Sequence, residues 1–221
     1  MAPRALTLLL AGFLMVAAAE AASAPGSCIA VDDLSKGKIG EFPPDWKARK
    51  DAGKAVYSVR EENGLRFLRA ASRGLGIQAA RGFEWDLNAY PILEWSWRPI
   101  KFPAGSDERN SKTADSVLAV YAVFPHTMVS LKAVKYIWSA VVPVGTRLTS
   151  NMGLTQVKVI RTGVPERPEW VEERANVLED YRTLFGDAEP SKPVGVAVLT
   201  DSDDTGSSAE GDYASFRVCK P

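Results

Sequence analysis

The sequence has few of the residues that build metal centres and no excess of charge of either sign. It contains one histidine, His126, and two cysteines, Cys28 and Cys219, in 221 residues. A zinc centre made of several histidines or cysteines is therefore excluded. Lys plus Arg number 27 and Asp plus Glu number 27, so the formal net charge is zero. This balance argues against a nucleic-acid-binding protein, which needs a basic surface.

Long apolar runs are also lacking, except at the N-terminus. Arg4 precedes an apolar run from Ala5 to Ala19, and small residues follow as far as Ala24. The run is shorter than the ~20 residues that span a bilayer, and the pattern is typical of a secretory signal peptide. We predict that residues 1–24 are removed by cleavage after Ala21 or Ala24. The mature protein would then have no transmembrane span and be periplasmic or secreted.

Motifs that identify an enzyme are absent from the sequence. There is no Walker loop and no Gly-x-Ser-x-Gly elbow, so phosphate-binding and hydrolase signatures are both lacking. Glu94 and Asp115 are among several carboxylates that a glycosidase would need in a pair, but no spacing selects two of them. The sequence therefore assigns no catalytic residue.

Export decides how the two cysteines are interpreted. Cys28 lies near the start of the predicted mature chain and Cys219 lies two residues from the end of the sequence. In an oxidising compartment, two cysteines favour one disulfide. We predict a Cys28–Cys219 disulfide that joins the first and last strands.

The mature chain, residues 25–221, reads as a single domain built mainly from strands. Short apolar runs alternate with turn signals, and Asn63-Gly64 predicts a tight hairpin. The order of elements, with no alternation of strands and helices, indicates an antiparallel β-sandwich of jelly-roll type, galactose-binding-like or concanavalin-like. The predicted strands cover residues 55–60, 65–71, 76–80, 92–98, 117–124, 134–142, 156–161, 194–200 and 213–219.

One helix is predicted over residues 168–185. Pro168 suits a first helical turn, and glutamates follow it where they oppose the helix dipole. Apolar residues from Trp170 to Phe185 share one broad face, and Gly186 is a typical helix stop. We expect this helix to pack its apolar face on a sheet.

The strand at residues 92–98 suggests a binding surface. It alternates cleanly, so Trp95 and Trp97 should face the core while Glu94, Ser96 and Arg98 face outward. Hydroxyl, carboxylate and guanidinium groups on one sheet face suit a hydroxyl-rich ligand, although an ordinary solvated face has the same composition. If this face is concave, neighbouring strands would add three further residues to it: Asp115, Tyr121 and Trp138.

An acidic loop offers a candidate calcium site. Asp201, Asp203 and Thr205 place oxygens at every second position, and Asp212 falls at the twelfth position of the loop. This spacing is similar to that of an EF-hand loop, but the flanking helices are missing. The alternative is a solvated turn with local hydrogen bonds.

Six segments occur in order along the mature chain: FPPDW at 42–46, PILEWSW at 91–97, AVYAVF at 119–124, VKYIWS at 134–139, WVEER with DYR at 170–174 and 180–182, and GVAVLTDSDDTG at 195–206. In this order they resemble the bacterial family called domain of unknown function 3047, over about residues 30 to 218. That family has no established activity, so the resemblance implies compartment and architecture only. The sequence departs from the family pattern at Ser96, where a basic residue is usual, and over residues 147–155.

The resemblance and the residues together lead to three hypotheses. The first is an exported envelope protein that binds a glycan or another envelope component without catalysis. The second is a hydrolase or lyase that acts on an envelope polysaccharide through paired carboxylates. The third is a structural or assembly protein of the envelope.

Overall fold

Residues 27–186 and 189–221 are described by a computed structural model, which places them in two β-sheets packed face to face. The predicted signal peptide, residues 1–24, lies outside the described residues. The strands in chain order are β1 (Cys28–Asp32), β2 (Trp46–Ala48), β3 (Tyr57–Glu62), β4 (Leu65–Arg73), β5 (Ala79–Gly82), β6 (Ile92–Lys101), β7 (Leu118–Pro125), β8 (Leu131–Ser139), β9 (Arg147–Ser150), β10 (Thr155–Thr162), β11 (Val171–Asn176), β12 (Gly195–Leu199) and β13 (Ser208–Cys219).

The first sheet has the order β11-β6-β13-β4-β3, with β1 also paired to β13. The second sheet has the order β2-β5-β12-β7-β8-β10-β9. All pairs are antiparallel except β8 with β10, which are parallel. The predicted antiparallel β-sandwich of jelly-roll type is therefore confirmed.

The core lies between the two sheets and contains the tryptophans of β6. Trp95 and Trp97 are 1% and 0% exposed, and their rings meet edge to face with centroids 5.3 Å apart. Trp95 also packs on Tyr136 of β8, at 5.5 Å between ring centroids. The predicted alternation of β6 is correct, and it directs Glu94, Ser96 and Arg98 to the outer face of the first sheet.

Two local predictions about the chain are also confirmed. Asn63 and Gly64 both have positive φ, 51° and 80°, and they connect β3 to β4 as the two central residues of a tight hairpin turn. Cys28 and Cys219 are paired residues of β1 and β13, and they form the disulfide.

The predicted helix over residues 168–185 is wrong in its first half. Residues of β11 pair with β6 as an edge strand, and the α-helix, α1, covers only Val177–Phe185. Its N-cap is Asn176, whose side chain accepts a hydrogen bond from the Glu179 backbone N–H at 3.1 Å. The helix ends at Gly186 as predicted, with φ of 67°. None of the helices in the described ranges has the length and hydropathy that crossing a membrane requires.

Candidate functional site

The outer face of the first sheet holds a set of ion pairs centred on Glu94. Its two carboxylate oxygens accept hydrogen bonds from Arg174 of β11, at 2.5 Å, and from Arg217 of β13, at 2.6 Å. Both arginines are half-exposed, whereas the Glu94 side chain is mostly buried. The carboxylate is therefore fixed between two guanidinium groups from the strands on either side of β6.

A cavity of about 310 Å³ opens beside the ion pairs of Glu94 with Arg174 and Arg217. Ser96 lies in it two residues along β6 from Glu94, and Ser215 of β13 lies at one side. Ser96 is paired with Ala214 of β13, so two small side chains leave a depression in the sheet surface. The complete lining is Glu94, Trp95, Ser96, Glu172, Glu173, Arg174, Ser215 and Arg217.

A second cavity of about 310 Å³ shares Ser215 with the first. Ser215 has φ of 59° at a bulge where the register of β13 against β6 shifts. Such a backbone costs energy for a residue other than glycine, and it is retained where the surrounding structure demands it. We call the two cavities together the groove. The second part is lined by Asp33, Ser35, Gly64, Leu65, Arg66 and Ser215.

Arg98 and Asp212 belong to a second set of ion pairs on the same face. Asp212 is fully buried and accepts hydrogen bonds from both Arg98 and Arg69. The Arg98 guanidinium also lies 4.7 Å from the centroid of the Trp170 ring. The assignment of Asp212 to a calcium loop is therefore wrong, because β13 extends to include it and pairs it with Arg98.

The structure does not bring Asp115, Tyr121 and Trp138 to this face. Trp138 lies in the core, where its ring centroid is 6.0 Å from that of Trp97, and its indole N–H donates to the Gly163 carbonyl. Tyr121 lies in a smaller apolar cluster formed by β7, β8, β10 and β12. Asp115 precedes β7 and accepts hydrogen bonds from the Asp204 and Thr205 backbone N–H groups. The expectation that these three residues join the Glu94 face is wrong.

Tyr121 instead lies beside Asp201 and Lys135, in a group that we call the Asp201 cluster. Asp201 is 8% exposed and Lys135 is 9% exposed. Burial raises the pKa of Asp201 to about 7, against the lowering effect of Lys135. Burial also acts to lower the pKa of Lys135, but Tyr121, Asp201 and Glu108 outweigh it and the net direction is upward. The cluster thus places a buried carboxyl group within the electrostatic influence of a buried ammonium group, with polar groups adjacent to both.

Three carboxylates meet at the edge of this cluster. Oxygens of Asp115, Asp201 and Asp203 lie within 4.8 Å of one another, and Thr205 donates its hydroxyl hydrogen to Asp115. Carboxylate oxygens suit calcium, but the Lys135 ammonium already offsets part of their charge. Calcium binding stays a prediction, with Asp115 in place of Asp212. Since few of the oxygens are free, we expect an affinity on the order of 1 mM.

Calcium at 10 mM should raise Tm by roughly 3–6 °C, because ligand at about ten times Kd adds only about 1.4 kcal/mol to the free energy of unfolding. The measurement is thermal unfolding with calcium and with chelator. Asp203→Asn should remove the rise, and Asp51→Asn, at an exposed carboxylate away from the cluster, should keep it. An equal Tm in calcium and in chelator would show that this loop does not bind calcium.

Four important residues were not predicted as parts of these sites. Arg174, Ser215 and Arg217 line the groove, and Lys135 completes the Asp201 cluster. Arg174 was placed in the predicted helix, and the β13 bulge at Ser215 has no sequence signal. For Lys135 the sequence does offer a signal, which is the alternation of β8. It puts Lys135 on the face opposite the core residues Val134 and Tyr136.

Comparison of the fold with solved structures finds β-sandwich proteins of low sequence identity. They include a non-crystalline cellulose specific carbohydrate-binding module, with 9% identity over 88% of this chain and 95% of that chain and a TM-score of 0.44. The family 11 xylanase from Neocallimastix patriciarum has 12% identity over 82% and 98% of the two chains and a TM-score of 0.42. The xyloglucanase domain of NopAA, a type three effector from Sinorhizobium fredii, in complex with cellobiose, has 8% identity over 80% and 96% and a TM-score of 0.41.

Comparison of the sequence with curated proteins finds no match. A family model does match it, over residues 44–217, and its description is "Protein of unknown function (DUF3047)". The match includes most of the described sandwich and confirms the resemblance seen in the ordered segments. The chain therefore belongs to the DUF3047 family.

Proposed function

We propose that this protein is exported and binds a glycan in the groove on the outer face of the first sheet, without catalysis. The observation that carries the proposal is that two cavities, each of about 310 Å³, share Ser215 as a lining residue on this face. Each cavity lies in the size range of ligand sites, and we take the two together as one groove. A long, shallow groove fits a linear polymer better than it fits a compact small molecule.

The chemistry of the lining supports a hydroxyl-rich ligand. Ser96 and Ser215 offer hydroxyl groups, and the Glu94 ion pairs hold carboxylate and guanidinium groups in fixed positions. Groups that are already oriented lose little entropy when a ligand hydrogen-bonds to them. Arg174 and Arg217 are half-exposed, so each has donors directed to solvent.

The same contacts argue against catalysis at Glu94. A glycosidase acid must give its proton to the leaving oxygen, and its partner carboxylate must reach the sugar or a water. Both oxygens of Glu94 already accept hydrogen bonds from guanidinium groups, so neither is free to hold a proton for a leaving group. Glu94 therefore fits the role of a positioning and hydrogen-bonding group.

Retention of the protein on insoluble polysaccharides tests the proposal. The panel includes peptidoglycan and outer-membrane glycan, and the release of reducing ends is measured in the same tubes. We expect retention on at least one polymer and no release. Release would indicate a hydrolase, new unsaturated ends would indicate a lyase, and the absence of both retention and release would favour a structural envelope role.

Ser96→Tyr should lower retention by roughly ten-fold or more, since the larger side chain fills the depression between β6 and β13. Ser58→Tyr is the matched control, because Ser58 lies on β3, where it pairs with Arg69 of β4, and lines neither part of the groove. Glu94→Gln keeps the shape of the groove but weakens the two ion pairs, so it should retain partial affinity. Equal retention by the Ser96 and Ser58 variants would place the ligand elsewhere.

A further inference from the structure

The most exposed apolar side chains of the described residues project from one end of the second sheet. Met128, Val129 and Met152 are 103%, 95% and 96% exposed, and Leu131 is 53% exposed. Met128 and Val129 form the tip of the β7–β8 hairpin, and Met152 forms the tip of the connection between β9 and β10. Fully exposed apolar side chains at adjacent positions indicate an interaction surface.

The sheet register brings these two tips together. Thr155 of β10 is paired in parallel with Ala133 of β8, and the Ala133 backbone N–H donates to the Leu154 carbonyl at 2.9 Å. The residues that precede Ala133 and those that precede Thr155 therefore leave the sheet at the same end. We call Met128, Val129, Leu131 and Met152 the apolar tip.

The apolar tip is held in place by its own backbone. The backbone N–H groups of His126 and Thr127 both donate to the Ser130 carbonyl at 3.1 Å, and this closes the hairpin turn. Asn151 and Met152 have positive φ, 50° and 53°, which is unfavourable for side chains other than glycine. The strained turn holds an apolar side chain in water, an arrangement that neither packing nor solubility explains.

The basic residues near the apolar tip indicate a partner with negative charge. Residues 125–132 and 147–156 contain no aspartate or glutamate, and they contain Lys132, Arg147 and the single histidine. Lys132 follows Leu131 directly, with its ammonium 5.0 Å from the centroid of the Phe185 ring. Arg147 is the first residue of β9, five residues before Met152. Apolar side chains at the front and basic side chains behind them match an anionic bilayer surface, where acyl chains lie beneath phosphate groups.

We infer that the apolar tip inserts into the surface of a membrane rich in anionic lipid, as a site separate from the groove. Its convex shape fits a deformable partner, because a rigid protein would need a complementary pocket for each loop. The groove lies on the outer face of the other sheet, so glycan and membrane contacts do not compete for the same residues.

Co-sedimentation with vesicles that contain no sugar tests this inference. The vesicles are phosphatidylethanolamine with phosphatidylglycerol, and phosphatidylcholine alone. The protein is expressed with its own leader and purified as the cell delivers it, with its N-terminus read by mass spectrometry. We expect sedimentation with the anionic vesicles, weaker sedimentation as salt is added, and little with phosphatidylcholine.

The triple variant Met128→Ser, Val129→Ser, Met152→Ser should reduce partitioning into anionic vesicles by roughly ten-fold or more. Arg147→Glu should reduce it several-fold and flatten the salt dependence. Val164→Ser is the matched control, since Val164 is 66% exposed at the opposite end of β10. Unchanged partitioning of the triple variant, or no sedimentation of the unmodified protein, would overturn the inference. A dimer that the triple variant loses in analytical ultracentrifugation would assign the tip to a second copy of the chain and overturn it too.

Discussion

Reduction of the Cys28–Cys219 disulfide is expected to lower the free energy of unfolding by about 5 kcal/mol and Tm by roughly 10–20 °C. The two cysteines are separated by 191 residues, so the disulfide closes nearly the whole described chain into one loop. In the chain-entropy model, the stabilisation grows with the logarithm of loop length. Few single bonds in a domain of this size have a larger expected effect.

The structure also shows which element would be affected first. β1 pairs only with β13 and has no place in the strand order β11-β6-β13-β4-β3 of the first sheet. Its inner end is held by Asp32, whose carboxylate accepts hydrogen bonds from the Trp46 indole N–H at 2.8 Å and from Arg81 at 3.1 Å. Both residues belong to the second sheet, so β1 connects the two sheets. Without the disulfide, we expect β1 to separate from β13 before the rest unfolds.

Chemical unfolding of the oxidised protein, the reduced protein and the double variant Cys28→Ala, Cys219→Ala measures this effect. The double variant should resemble the reduced protein, and reductant should not change it further. Hydrogen exchange at β1 should rise before exchange at β6. A loss below about 1 kcal/mol would mean that the reduced unfolded chain keeps enough structure to cancel the loop term.

The sequence predicts the strands that lie inside the sheets, together with the edge strand β3, and misses most of the peripheral ones. All nine predicted strands correspond to observed strands, because each carries an apolar run or clear alternation. The four that were missed are β1, β2, β9 and β11. Three of them have five residues or fewer, and β2, β9 and β11 lie at sheet edges, where less burial leaves a weaker pattern.

The helix prediction failed because strand and helix share the same residues before Asn176. Val171, Glu173 and Ala175 alternate with Glu172 and Arg174, and this pattern satisfies an edge strand. In the absence of a partner, glutamates after a proline are equally typical of a helical first turn. Only the pairing with β6 decides between them, and that pairing is a long-range contact.

Long-range strand pairing also explains why the candidate site residues group differently in the structure than the sequence predicts. Spacing along the chain placed Asp212 with Asp201, whereas the ladder between β13 and β6 places Asp212 beside Arg98. Glu94, Ser96 and Arg98 stayed together because they lie on one strand, where alternation alone determines the face. Contacts within one strand were predictable, and contacts between strands required the sheet order.

The second large effect concerns Lys135 in the Asp201 cluster. Lys135→Met should lower the free energy of unfolding by about 3–5 kcal/mol at pH 8, since it leaves a buried carboxylate without its cation. Adding Asp201→Asn should recover most of the loss, because a neutral amide needs no counter-charge and still accepts from the Ser116 backbone N–H, as Asp201 does. A double-mutant cycle therefore separates the electrostatic coupling of Lys135 and Asp201 from the packing of the lysine stem.

The pH dependence of stability gives an independent measure of the same pair. Burial raises the folded-state pKa of Asp201 from 3.8 to about 7, so the folded protein holds this proton more tightly than the unfolded chain does. The contribution of Asp201 to stability is therefore greatest below about pH 4 and declines as the pH rises towards 7, by up to about 4 kcal/mol. In Lys135→Met the decline should extend above pH 7, because the ammonium that lowers the pKa is gone.

Unfolding free energies from pH 4 to 9, in chelator, test both variants together. Asp201→Asn should flatten the decline between pH 4 and 7. Glu108→Gln is the control, since burial raises the pKa of Glu108 as well and its protonation acts in the same direction. A decline that persists in Asp201→Asn and disappears in Glu108→Gln would assign the titration to Glu108 and contradict the role of the Lys135–Asp201 pair.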